Sequence, residues 1–507
     1  MLRPPVVAAH LSPSSQPGKL IPLSIYIHTP WCEKKCPYCD FNSHALTDIK
    51  GDIKGDIKGD LLNGALPLAL EKEYLRSLKK DLVTTLQNYP HLEKRELVSI
   101  FIGGGTPSLL SPSFYADLLD SMSSAFTINT AVNTAVDDDL GDDLSNIAKA
   151  TEITLEANPG SAEYKKFAAY RQLGINRISL GVQSFNDDKL ALLGRVHKAE
   201  DAINAYYAAV AAGFSRINLD IMFGLPNQSS AEALKDVSMA SGETSSLINN
   251  LISNGGNTIE VEHISRYQLT LEPNTLFATK PPEGLPDEAT LLAMEEEGAD
   301  ILRQQGFTRY EVSAWSKQAG NKGSPGDELE ATRAKHNLNY WRFGDYVGLG
   351  AGAHSKITTT EKLSGGSDAY KVYRERRQRS PDKYMQSSEL IGGRRPISRD
   401  ELVYEFMLNA LRLVDGFPLT LFSEMTGLPS EILQPKIEQG KELGLLETQE
   451  EIKEEIKEEI KEEIKGEIKE EIKGEIKGEK GEVLKPSKRG LQLLNDTILL
   501  FSPPEQF

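Results

Sequence analysis

Cys32, Cys36 and Cys39 are the only cysteines in this 507-residue chain, and all three lie within IYIHTPWCEKKCPYCDFNSH. Spacings of four and three residues let one loop wrap a small inorganic cube, and thiolates are the usual ligands of iron–sulfur clusters. A [4Fe–4S] cube has one iron more than three thiolates can hold, so one corner is left for a small molecule. Two blander readings compete. A disulfide framework needs paired cysteines in an oxidising compartment, which three crowded thiols suit poorly. A zinc site needs a fourth ligand, and His28 or His44 can in principle supply it.

Other residues with chemical potential are scattered along the chain. The run Gly103-Gly104-Gly105-Thr106-Pro107 offers bare backbone where a ligand can approach closely. Glu156 offers a carboxylate to an ammonium or to hydroxyls, Gln183 and Asp220 offer polar ends, and Arg195 can grip a carboxylate with two donors. Each taken alone is more often a structural hydrogen bond or ion pair. Alongside three cysteines, ligand binding becomes the better reading. His336, Tyr340, Trp341 and His354 form a second constellation that can ligate and sandwich a flat macrocycle. The alternative there is a packed polar network closing the fold, which spacing alone slightly favours.

Six apolar stretches are expected to position these groups: Leu23 to His28, Leu97 to Ile102, Ile153 to Glu156, Arg177 to Val182, Ile217 to Met222 and about His263 to Leu269. Helical patterns alternate with them, including Glu71 to Gln87 and Ser111 to Ala125. Largely apolar strands alternating with helices predict a parallel sheet with helical crossovers. In α/β barrels the reactive groups gather at the carboxyl ends of the strands, and most of the candidate residues fall there. The expected fold is therefore an α/β partial (β/α)6 barrel. A flexible tail over residues 1–19 precedes the barrel and its extension, residues 20–393. A winged-helix-like α+β domain follows over 394–507.

Three low-complexity patches read as insertions without chemistry, near residues 48–60, 127–144 and 449–482. In the last, isoleucine recurs every fourth residue, so its stripe drifts about 40° per repeat and cannot stay on one partner face. Lys plus Arg number 57 against 74 Asp plus Glu, a net charge of −17, which argues against a general nucleic-acid binder. Cysteine poverty fits a reducing, cytoplasmic setting. No window reaches the roughly 18 apolar residues of a membrane span, although peripheral membrane contact stays open.

The segments IYIHTPWCEKKCPYCDFNSH, FIGGGTPSLL, LEANPG, RISLGVQSF, LGRVH, NLDIMFGLP, HISRYQLTLEP, HNLNYW and GLGAGAHS occur in this order. In them the chain resembles the coproporphyrinogen-oxidase-like family of radical S-adenosylmethionine (SAM) proteins, and in particular its heme chaperone branch. The resemblance implies that Cys32, Cys36 and Cys39 hold a [4Fe–4S] cluster. It implies that Tyr26, Gly104, Gly105, Thr106, Glu156, Gln183, Arg195 and Asp220 contact SAM, and that heme is bound and passed to acceptor proteins. His336 and His354 are the candidate heme residues. Oxidases of the family carry a further cysteine two positions after the third, where this chain has Phe41. That departure argues against porphyrinogen oxidation, the alternative activity.

Overall fold

The computed structural model describes residues 21–48, 66–129, 150–160, 164–243, 261–317, 331–362, 368–450 and 482–503. The expected tail and nearly all of the three insertions lie outside the described residues. Six parallel strands make the heart of the molecule: β1 (Leu23–Thr29), β2 (Leu97–Gly104), β3 (Glu152–Ala157), β4 (Arg177–Gln183), β5 (Arg216–Phe223) and β6 (His263–Gln268). Their crossovers include α1 (Leu68–Asn88), α2 (Pro112–Ala125), α3 (Phe167–Gln172), α4 (Asp187–Leu192), α5 (Ala199–Ala211) and α6 (Ser230–Ser238). Helix α1 buries Leu70, Tyr74, Leu78 and Leu82 at i, i+4 spacing, which lays one face against the sheet. Helix α2 starts where its sequence says it should. The Ser111 hydroxyl accepts from the Phe114 N–H, and Pro112 takes the first turn.

Each barrel strand is buried at nearly every position, as a sheet covered on both faces requires. The partly exposed exceptions near mid-strand or beyond are Tyr26, Phe101, Glu156, Gly181, Asp220 and Tyr267. Strand periodicity directs these to a common inner face, and on β6 the partly exposed Ser265 lies two residues before Tyr267 on the same face.

Helix α7 (Glu288–Gln304) follows β6, and β7 (Phe307–Arg309) and β8 (Ala314–Lys317) then extend the sheet antiparallel. The motif HNLNYW belongs to a short helix, α8 (Lys335–Trp341), followed by β9 (Asp345–Leu349), β10 (His354–Lys362), β11 (Asp368–Arg377) and β12 (Ile391–Pro396). Strand β9 pairs parallel with β1, a seventh parallel strand beyond the six that the sequence pattern shows. Among the described residues one sheet runs β12-β11-β10-β9-β1-β2-β3-β4-β5-β6-β8-β7, and it does not close on itself.

The C-terminal module runs α9 (Arg399–Ala410), β13 (Phe417–Pro418), α10 (Leu419–Thr426), α11 (Gln434–Glu442), β14 (Leu446–Glu450) and β15 (Glu482–Pro486), with sheet order β13-β15-β14. That order of helices and strands is a winged helix. Glu450 lies directly opposite Glu482, so the end of β14 and the start of β15 are cross-strand neighbours. Phe406, Phe417, Phe422 and Phe343 interlock edge to face in its core, which also takes in Leu338 of α8.

Candidate functional site

The cysteines sit where β1 delivers them, on the loop at its carboxyl end. All three are free thiols. Burial pushes the Cys32 thiol up to about 11 and raises Cys39 as well, so both keep their protons at neutral pH. The Cys39 sulfur lies 3.7 Å from the Ser43 hydroxyl, and the Cys36 sulfur 3.7 Å from Arg195 Nη1.

Two seams hold this loop. Gly105 and Thr106 donate their N–H groups to the carbonyls of Thr29 and Trp31, both at 2.7 Å. His28 bonds Tyr26 Oη through Nδ1 at 2.8 Å and the Asn42 carbonyl through Nε2 at 3.0 Å. Both imidazole nitrogens are thus engaged, so His28 has none left for a zinc ion. His44 is half-buried, with Nε2 enclosed and unbonded. No three His, Cys, Asp or Glu side chains among the described residues gather tightly enough for a single metal ion. A cube differs, taking one thiolate at each of three separate corners.

The glycine run behaves differently from the sequence expectation. A Cβ on Gly105 would stand 2.4 Å from the Trp31 carbonyl oxygen, and one on Gly103 would stand 2.7 Å from the Phe101 ring. Gly104 has φ +109° and packs on the His28 ring. The missing side chains make room for the chain's own cysteine loop and ring systems first.

The remaining candidates form two linked groups. Glu156 accepts from the Gly104 N–H at 3.0 Å; burial and then the facing Asp220 carboxylate push it up to about 8. Asp220 is itself raised by burial, although it accepts from Ser179 at 3.0 Å and Asn218 at 2.9 Å. The second group is a chain: Thr106 Oγ1 accepts from Asn158 Nδ2 at 2.8 Å, and Asn158 Oδ1 accepts from Arg195 Nη2 at 2.5 Å. Arg195 Nη2 also donates to the Gly181 carbonyl at 2.9 Å, while its Nε is buried without a partner. Gln183 holds a left-handed backbone, φ 68°, and accepts from the Tyr267 hydroxyl at 2.5 Å. Strained backbone of that kind persists where surrounding structure over-determines it.

A sulfur-only donor set, a buried guanidinium Nε with no partner and a facing pair of carboxylates fit an iron–sulfur cluster with a zwitterionic, cationic ligand. Asn158 and Tyr267 belong to this site and carry no signal of their own in the sequence, while His28, read there as a possible zinc ligand, instead braces the cysteine loop. Asn158 was visible only as the residue before Pro159 at the end of β3, and its part depends on strands far apart in the chain.

The second constellation is only partly brought together: the His336 and Tyr340 rings meet edge to face at 6.3 Å between centroids, and His354 lies apart from them. His336 is buried beneath the barrel, bonding Glu152 Oε1 through Nδ1 at 2.8 Å and stacking on Phe101 at 4.2 Å between ring centroids. Glu152 also takes Arg216 Nη1 at 3.0 Å and the Lys335 N–H at 3.1 Å, which seals the amino end of the barrel with α8. Tyr340 packs edge-on to Tyr346, and Arg412 lies over Trp341. His354 stands elsewhere, exposed at the start of β10.

A family model described as the radical SAM superfamily matches residues 26–240, and one described as the HemN C-terminal domain matches 397–452. A solved structure of coproporphyrinogen III oxidase (HemN) from Escherichia coli, described as a radical SAM enzyme, shares the fold. Its TM-score is 0.63 at 18% identity, over 95% of this chain and 90% of that one. The class is a radical SAM barrel with a HemN-type C-terminal module. The heme chaperone HemW of Escherichia coli is 37% identical over 430 residues, 84% of this chain and 92% of that protein. HemW of Haemophilus influenzae is 39% identical, over 83% of this chain and 90% of that protein. A bovine relative, radical S-adenosyl methionine domain-containing protein 1, mitochondrial, is 30% identical over 77% of this chain and 73% of its own length. The chain belongs to the HemW family.

Proposed function

We propose that this protein is a heme chaperone: it binds heme, carries a SAM-liganded [4Fe–4S] cluster and passes heme to acceptor proteins. Similarity to HemW proteins over most of both chains supports the reading, and Phe41 in place of the oxidase cysteine is the single residue that turns it from oxidation. Cys32, Cys36 and Cys39 would hold the cluster. Tyr26, Gly104, Gly105, Thr106, Glu156, Gln183, Arg195 and Asp220 would surround SAM. Arg195 Nε, buried and unpartnered, suits the methionine carboxylate.

An ammonium needs acceptors, and the N–H groups of Gly104, Gly105 and Thr106 are engaged within the chain. Glu156, in its ionised form, is the group suited to it. Bound there, the cluster and SAM supply a one-electron redox centre. A cytoplasmic setting belongs to the same proposal. Among the described residues no helix is long and apolar enough to cross a membrane.

The test is anaerobic reconstitution with iron and sulfide, then heme titration with and without SAM, then mixing with an apo-hemoprotein. Stoichiometric heme uptake and its transfer are expected. Conversion of coproporphyrinogen III to protoporphyrinogen by the reconstituted protein would overturn the reading in favour of an oxidase.

A further inference from the structure

Asp236 stands on α6, buried and outside the groups assigned to the cluster or to SAM. It forms no ion pair among the described residues. Three donors converge on it instead: the Ser184 hydroxyl at 2.7 Å, the Phe185 N–H at 2.7 Å and Gln228 Nε2 at 3.3 Å. Burial pushes Asp236 up to about 6 against the pull of the Phe185 and Ser184 bonds, so it is ionised at neutral pH. A buried carboxylate without a counter-ion is costly, and filling space does not call for one. Buried titratable groups of this kind gather at functional sites.

What Asp236 holds is the turn that ends β4. Gln183 has φ 68°, and the Ser184 N–H closes on the Val182 carbonyl at 2.9 Å. A three-residue turn with positive φ at its centre is the rare, strained form, and it persists only where its neighbours over-determine it. His197 Nε2 donates to the same Val182 carbonyl at 3.1 Å, and Asp236 grips the two residues that leave the turn. The turn aims the Gln183 side chain. Its Oε1 accepts from the Tyr267 hydroxyl, while Nε2 has no hydrogen-bond partner among the described residues. That end lies over the bare Gly181, where a Cβ would meet Gln183 Nε2 at 3.1 Å, Arg195 Nη2 at 3.4 Å and Asn158 Oδ1 at 3.4 Å. A free amide donor thus stands beside the guanidinium suited to the methionine carboxylate.

Resting on the SAM part of the reading above, we propose that Asp236 is a positioning residue for SAM binding: it fixes the strained turn at Gln183, and through that turn the amide donor that SAM meets. Asp236 itself touches no ligand.

The experiment measures the SAM dissociation constant of the reconstituted full-length protein as wild type, Asp236→Asn, Gln183→Ala and the double variant. Asp236→Asn keeps the size of the side chain but turns one acceptor into a donor facing donors. It is expected to weaken SAM roughly tenfold with iron content unchanged. Added to Gln183→Ala it should bring no further loss, because the group it positions is already gone. Ser184→Ala removes one of the three donors and leaves the carboxylate in place; the same cycle built on it should show a loss of roughly threefold that also vanishes without Gln183, and it stands in where Asp236→Asn does not fold. Unchanged SAM affinity, or an equal loss with and without Gln183, would overturn the assignment, the latter by making Asp236 a support of the fold alone. Absence of SAM binding by the reconstituted wild type would instead overturn the SAM reading beneath it.

Discussion

Replacing Arg377 by Met should cost roughly 3 kcal/mol of stability at neutral pH, and the structure says why. Arg377 and Asp81 have fully buried side chains, joined at 2.7 Å between Nε and Oδ1. The same guanidinium holds Glu375 at 3.0 Å and Thr85 at 2.8 Å. Removing one partner of a buried pair typically costs about 3–5 kcal/mol, because the other charge stays behind. Here the lower end applies. Asp81 keeps the Tyr384 hydroxyl at 2.8 Å and the Gly350 N–H, and Glu375 keeps Tyr89 at 2.6 Å and Arg394 at 3.3 Å.

The pH dependence has a definite sign. Burial already raises the Asp81 pKa although Arg377 opposes it, so losing Arg377 raises it further. A carboxyl whose folded pKa is raised destabilises the fold above its unfolded pKa, and the penalty fades as pH falls and it protonates. The deficit of Arg377→Met should therefore shrink between pH 7 and pH 5, and Asp81→Asn in the same background should recover part of it. Urea unfolding of wild type, both single variants and the double variant measures this. A deficit under 1 kcal/mol, or one that stays constant with pH, would refute the reasoning.

Glu156 supplies a second pH test. Its folded pKa of about 8 exceeds the ordinary carboxyl value, so the folded protein retains a proton that the unfolded chain releases above about pH 4.5. Stability should fall as pH rises from 5 to 8, and Glu156→Gln should flatten that decline in unfolding curves; parallel curves would count against it. Gly105→Ala forces a methyl group 2.4 Å from the Trp31 carbonyl, and roughly 1–3 kcal/mol of overpacking should appear as a lower Tm together with reduced iron content after reconstitution. Retention of full iron content would show that the loop yields. Deleting residues 451–481 and joining Glu450 to Glu482 through a short turn should leave heme transfer intact and stability within about 1 kcal/mol, since the two ends are already cross-strand partners. Loss of transfer would assign those residues a role.

The six barrel strands were legible because each is a buried apolar run ending in a glycine, proline or polar group. Strand β9 was not, since DYVGL is short and its partner β1 lies at the other end of the chain. Helix α8 was hidden for a related reason. It has seven residues and no side-chain cap, and His336 reaches Glu152, 184 positions earlier. The cysteines announced themselves through residue type and spacing. The link from Thr106 through Asn158 to Arg195 did not, because it joins three loops that only the folded sheet brings together. Glycine chemistry was half readable: a close approach was evident at Gly103 to Gly105, but the nearest approaching groups belong to the protein.

Asn42 reaches Ala351 across 309 positions and Arg379 across 337, while β1 lies between β2 and the late-made β9. During synthesis the metal-binding loop emerges among the first segments and must wait for nearly the last third of the chain before its flank is clamped. Such long-range closure is slow. A ribosome-bound fragment ending before residue 345 therefore presents the three thiols without β9 and without the Ala351 and Arg379 carbonyls that hold Asn42.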